Sequence, residues 1–261
     1  MRIAPKPLIG VIAVVVYAAI MAGTWWVLGT DYDTVGDTTG SIIKGIVAAV
    51  GLAVLVLIGL TTWLGWWHPA MREERRVAPR WTLVVPVVML VIALLNVVSI
   101  DYSAVSASWV VSLALGVALV GFGEELVTRG VALVGFRGRF TEVGAWAASS
   151  TIFALLHAMN VLFGQSVAAT GQQMVMAFLL GSALYVVRMS TGTLVAGMVI
   201  HAVWDFGSVG MGGSGADQNA LTLVGGLTNN LLMLTGLVAA IVIARRVSQA
   251  SADALATPAT A

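Results

Sequence analysis

The sequence predicts an all-α, polytopic membrane helix bundle with about eight transmembrane helices, and three observations carry that prediction. Hydrophobic residues make up 59% of the 261 and charged residues 10%, with a mean hydropathy of +0.97, far outside the range of a water-soluble domain. The chain divides into eight apolar stretches of about the 20 residues that a spanning helix needs, separated by short polar or glycine-containing breaks. Basic residues fall almost entirely in alternate breaks.

The first helix is expected at 7–29. Arg2 and Lys6 precede it as they would a secretory signal, but the apolar run is too long for one and reads as a helix retained in the mature protein. Further helices are expected at 41–67 and 81–100, which places three within residues 1–106, then at 107–136, 143–163, 171–188 and 193–210. Only Met189 to Gly192 separates the sixth from the seventh. An eighth is expected at 220–244, within a closing segment 211–247, and the small, polar stretch Ser248 to Ala261 reads as a disordered tail.

Charge placement sets an orientation. With the N-terminus in the cytoplasm, inside segments hold Arg2, Lys6, Arg72, Arg75, Arg76, Arg80, Arg137, Arg139, Arg188, Arg245 and Arg246, eleven of the thirteen basic residues. The outside segments carry Asp31, Asp33, Asp37, Asp101 and Asp217 with no lysine or arginine. Both termini are therefore expected in the cytoplasm, and the membrane is the plasma (inner) membrane if the source is bacterial. Trp25 and Trp26 are expected at the outer interface, and Trp63, Trp66, Trp67, Trp81 and Trp146 near the inner one.

A net charge of +1, scattered among apolar runs, gives no nucleic-acid footprint, so the lipid bilayer is the expected environment. The absence of cysteine excludes disulfides, thiolate nucleophiles and cysteine metal sites.

Chemistry is expected where ionisable side chains lie inside the bilayer, because each is costly there. Glu124, Glu125 and Arg129 are on the fourth helix, His157 on the fifth, and His201 and Asp205 on the seventh. At 1.5 Å per residue, Glu124 lies about 20 Å from Arg137, His157 about 22 Å from Glu142 and His201 about 14 Å from Gly192, depths at which all three can meet. Glu125 and Arg129, four apart, can pair on one face, leaving Glu124 about 100° away and free. His201 and Asp205 share the same spacing. Asn160, three residues after His157, shares its face and could orient that imidazole. His68 reads as an interface residue and Lys44 as one that snorkels, with Asn96, Asn229 and Asn230 as interhelical hydrogen-bond formers.

Two histidines and a carboxylate in a water-poor pocket are the parts of a hydrolase. They also suit a divalent metal such as zinc, held by His157, His201 and Glu124, which would activate water in the same way. No histidine–glutamate zinc-helix motif is present, and the spacing leaves both readings open.

Three motifs in order on these helices resemble those of the CPBP intramembrane protease family, which includes CAAX prenyl endopeptidases and bacteriocin-processing or immunity proteins. They are Glu124 and Glu125 followed by Arg129, Phe153 four before His157, and His201 four before Asp205. The resemblance covers about 107–210, the catalytic core of four helices it implies. It implies an endopeptidase acting on a membrane-associated peptide or protein. Glu124 and His157 would activate water, His201 and Asp205 would stabilise the oxyanion, and Glu125, Arg129 and Phe153 would position the machinery. Asp205 stands where the prenyl endopeptidases have asparagine. An aspartate donates to an oxyanion only when protonated, and otherwise orients His201 or ligates a metal. Two alternatives accompany this reading: a non-catalytic scaffold or immunity protein of the same fold, and a proton-coupled transporter, though no paired repeat supports the latter.

Overall fold

The computed structural model describes residues 1–75, 78–215 and 220–256. Eight helices long and apolar enough to cross a membrane follow one another: Pro7–Leu28 (α1), Thr39–Leu64 (α2), Arg80–Val98 (α3), Ala107–Arg137 (α4), Glu142–Phe163 (α5), Val167–Thr191 (α6), Leu194–Ser214 (α7) and Thr228–Ala254 (α8). Arg76, Asp217 and 257–261, which entered the expected charge pattern and tail, lie outside the described residues.

Helix starts follow local chemistry. Ser106, Thr141, Ser166 and Thr193 each accept a backbone N–H of the first turn of α4, α5, α6 and α7, satisfying donors that lipid cannot. Gly192 (φ 78°) supplies the left-handed residue that stops α6 one position before the cap of α7, so a very short break suffices for a reversal. One expectation is corrected at the C-terminus. The last helix runs from Ala220 to Ala256, so 248–256 is helical rather than disordered. An alanine-rich sequence continues a helix readily, and Ser248 Oγ accepts Val143 N–H at 3.4 Å, which ties the extension to α5.

α4 is the centre of the bundle, with α1, α2, α5 and α7 against it; α7 is wedged between α3 and α4, and α8 covers α6 and α3. Outside this core, large apolar side chains such as Leu55, Val87, Val111, Leu162, Val175 and Leu231 point away from the protein. Such a shell would be an aggregation surface in water and is the expected contact with acyl chains. The chain is an integral membrane protein. Trp26 and Trp63 join that shell, but Trp25, Trp66 and Trp146 turn inward: Trp25 Nε1 donates to Gly45 O at 2.6 Å and Trp66 Nε1 to Ile3 O at 2.7 Å. These three are core residues rather than interface anchors.

The arginine-bearing end holds a buried ionic network that the charge pattern alone does not reveal. Arg188, fully buried, donates through Nε to Glu73 (3.0 Å), through Nη1 to Ala70 O (2.5 Å) and Arg129 O (2.7 Å), and through Nη2 to Pro69 O (2.8 Å) and Arg72 O (3.2 Å). All five donors are used. Arg137 bridges Glu73 (2.8 Å) and Glu142 (2.5 Å), and Arg75 and Tyr185 complete Glu142 at 2.6 and 2.8 Å. The α2–α3 connection is thereby clamped to α4, α5 and α6. Burial alone would raise the Glu73 carboxyl, but Arg137 and Arg188 hold it down to about 2.

Because the folded carboxyl lies below its ordinary value of 4.5, Glu73 contributes stability that is present above about pH 4.5 and lost as pH falls toward about 2. Thermal unfolding in detergent should show that acid loss, and Glu73→Gln should abolish it while costing about 3–5 kcal/mol at neutral pH, since Arg188 and Arg137 would be left buried and short of a partner.

Candidate active site

α4 is not a uniform helix. It is α-helical to Glu125, π-helical over Leu126–Ala132 and α-helical again to Arg137, and all seven π-helical residues are buried. A π segment widens the turn, frees carbonyls and occurs often at functional positions. Here side chains take up the freed groups: Thr128 Oγ1 donates to Glu124 O at 2.5 Å and Ser149 Oγ to Thr128 O at 3.0 Å.

The expected division between the two glutamates is found. Glu125 has a fully buried side chain and its Oε1 accepts Arg129 Nη1 at 2.8 Å, while the Glu124 side chain retains 14% exposure and lines a cavity of about 600 Å³. Arg129 Nη1 also donates to Thr128 Oγ1 at 2.8 Å, and its guanidinium lies 3.9 Å above the centre of the Phe153 ring. Among the described residues Nε and Nη2 of Arg129 find no hydrogen-bond acceptor, so the ring face offsets part of their desolvation. Two glycines make room. A Cβ on Gly181 of α6 would stand 2.7 Å from Arg129 Nη2, and one on Gly197 of α7 3.1 Å from Glu125 Oε2.

His201 of α7 joins the carboxylates. Its Nδ1 lies 3.3 Å from Glu125 Oε1, and its Nε2 lies 3.5 Å from Asp205 Oδ2 and 3.9 Å from Glu124 Oε2. His157 sits where α5 changes from α to 3-10 geometry, and its Nδ1 is 3.0 Å from Phe153 O. That bond places the proton on Nδ1 and leaves the Nε2 lone pair for the cavity, which His157, His201, Glu124 and Asp205 all line. Phe153 is the hub: both imidazoles meet its ring edge-on, His157 at 5.2 Å and His201 at 5.7 Å between centroids, while Arg129 covers its face.

Two expectations need correction. Asn160 does not orient His157. Its Nδ2 donates to Gln173 Oε1 of α6 at 3.0 Å, and Phe153 O does the orienting. The expected metal set of His157, His201 and Glu124 is not assembled either. Among the described residues no three histidine, aspartate or glutamate side chains converge as ligands, and His201 Nε2 is taken up between Asp205 and Glu124. As placed, these donors do not fit a resident metal.

Sequence reasoning also missed residues that shape the site. Thr128, Ser149, Gly181 and Gly197 carry no motif, and their small or hydroxyl side chains on facing helices are the one signal that pointed to close approach.

A family model described as type II CAAX prenyl endopeptidase Rce1-like matches residues 79–207, which takes in α3 to α6 and α7 through Asp205. No curated protein and no solved structure matches the chain. The family match bears out the resemblance read from the three motifs, and it begins one helix earlier than that reading placed it.

Removing one partner of the buried pair should differ sharply from removing the free carboxylate. Glu125→Gln, which leaves Arg129 uncompensated, should cost about 3–5 kcal/mol in detergent unfolding, whereas Glu124→Gln should leave stability within about 1 kcal/mol.

Proposed function

We propose, from the match of residues 79–207 to the CAAX prenyl endopeptidase family model, that the chain is an intramembrane endopeptidase whose substrate is a membrane-associated peptide or protein. The observation that carries this reading is the partition of two adjacent glutamates, with Glu125 consumed by Arg129 and Glu124 left facing a cavity shared with two histidines.

In this mechanism a water donates hydrogen bonds to Glu124 and to Nε2 of His157 and attacks the scissile carbonyl carbon. Glu124 takes the water proton and delivers it to the leaving nitrogen as the tetrahedral intermediate collapses, so the products are an acid and an amine. His201, paired through Nδ1 with Glu125, presents Nε2–H to the developing oxyanion. Asp205 lies against that same Nε2 and acts by orienting the ring. Glu125, Arg129 and Phe153 are positioning residues that hold α4, α5 and α7 in register. The cavity of about 600 Å³ is large enough for a peptide segment.

The basic end, with Arg72, Arg75, Arg137 and Arg188, is proposed to face the cytoplasm together with both termini, in a plasma (inner) membrane if the source is bacterial. Since the chain lacks cysteine, single substitutions report topology directly. Ser103→Cys should react with a membrane-impermeant maleimide added to whole cells, and Ser251→Cys only after permeabilisation; the reverse pattern would invert the orientation.

The enzymatic test is cleavage of a library of membrane-anchored peptides by the purified protein in liposomes. Glu124→Ala should lower turnover at least about 1,000-fold without changing the melting temperature, and a chelator should leave wild-type cleavage unchanged. Absence of cleavage by folded wild-type protein across the library would point instead to a non-catalytic scaffold or immunity role.

A further inference from the structure

The correction at Asn160 leads to a residue outside the family match. Asn160 Nδ2 donates to Gln173 Oε1 at 3.0 Å, and Gln173 Nε2 donates to the Tyr32 hydroxyl at 2.7 Å. The chain of donors runs one way. Tyr32 O thus accepts from Gln173, with Asn160 also within reach of the hydroxyl, and no hydrogen bond donated by its O–H is found among the described residues. Tyr32 is half-buried and lines the same cavity as Glu124, His157, His201 and Asp205.

The side chain is held firmly. Tyr32 N–H donates to Phe163 O at 2.7 Å, and its ring packs on Trp25, whose own ring meets Phe163 edge-on at 5.1 Å. Loop α1–α2 is fixed further along by Trp109 Nε1, which donates to Gly36 O at 2.8 Å. Burial raises the phenol above its ordinary value; the Gln173 bond pulls against this and the Glu124 and Asp205 charges add to it, so the group keeps its proton. The site needs such a donor. Asp205 as a carboxylate can only accept, which leaves His201 as the single donor to an oxyanion among the motif residues.

We propose that Tyr32 is a further catalytic residue, whose hydroxyl, aimed by the Asn160–Gln173 amide pair, donates a hydrogen bond to the scissile carbonyl oxygen and to the oxyanion it becomes. The inference rests on the peptidase reading and deepens it. Its covalent balance is unchanged: Tyr32 keeps its proton throughout, and the water proton still travels by way of Glu124. The donor strengthens as charge builds on oxygen, so its contribution is to kcat rather than to KM.

The test compares wild type, Tyr32→Phe, Gln173→Glu and the double variant on the membrane-anchored peptide library in liposomes, with Glu124→Ala as reference. Tyr32→Phe should lower kcat about 100-fold with KM within about threefold, and the melting temperature should be unchanged. Gln173→Glu presents a carboxylate that accepts the phenol proton and turns it from the cavity, so its loss should be of the same order. The double variant should then be no worse than either single one. Wild-type kcat in Tyr32→Phe, or a fall in kcat matched by a fall in melting temperature, overturns the donor role; the peptidase reading stands if Glu124→Ala is still silent. Cleavage that survives in Glu124→Ala, or no cleavage by wild type, overturns that reading and this one with it.

Discussion

A guanidinium far from water has to be met by a carboxylate, and the meeting of Arg129 with Glu125 is the constraint around which this bundle is arranged. The pair occupies one carboxylate oxygen, brings His201 of α7 to within 3.3 Å of it, and lays the arginine across Phe153 of α5. Glycines at 181 and 197 let α6 and α7 close over the two charged groups. Four helices are thus registered on a single ion pair. Glu124, one residue away in a helical turn, is directed to the cavity by the same geometry.

The π-helical segment and the ionic network are linked. Arg188 donates to the carbonyl of Arg129, so the widened turn that carries the arginine of the buried ion pair is fastened to the α2–α3 connection and to the end of α6. The carbonyls of Glu124, Thr128 and Arg129 accept from Thr128, Ser149 and Arg188, which helps irregular backbone stand in a water-poor interior. The arginines at that end thus hold the base of the cavity by contact.

Much of this was legible beforehand because lipid makes strong demands. Twenty-residue apolar runs and clustered arginines survive any detail of packing, and the eight helices appeared close to where the runs placed them. The i, i+4 spacing of Glu125 and Arg129 and of His201 and Asp205 was equally readable, since neighbouring turns are set by helix geometry. Misreadings arose where a side chain chose a partner on another element: Asn160 turned to Gln173 of α6 rather than to His157, and Trp66 turned its indole to Ile3 O rather than to the interface.

By itself the sequence determined that the chain crosses a membrane, which helices carry buried charge, and which glutamate is paired, because those follow from hydrophobicity and from the repeat of a single helix. Tertiary structure decided which groups from different helices meet: that His201 joins both glutamates, that Phe153 stands between two imidazoles and an arginine, that no metal set converges among the described residues, and that Tyr32, from the loop before α2, reaches the cavity. Contacts of that kind depend on how far helices approach and rotate, which small residues and the π turn control, and no period along one strand of sequence encodes them.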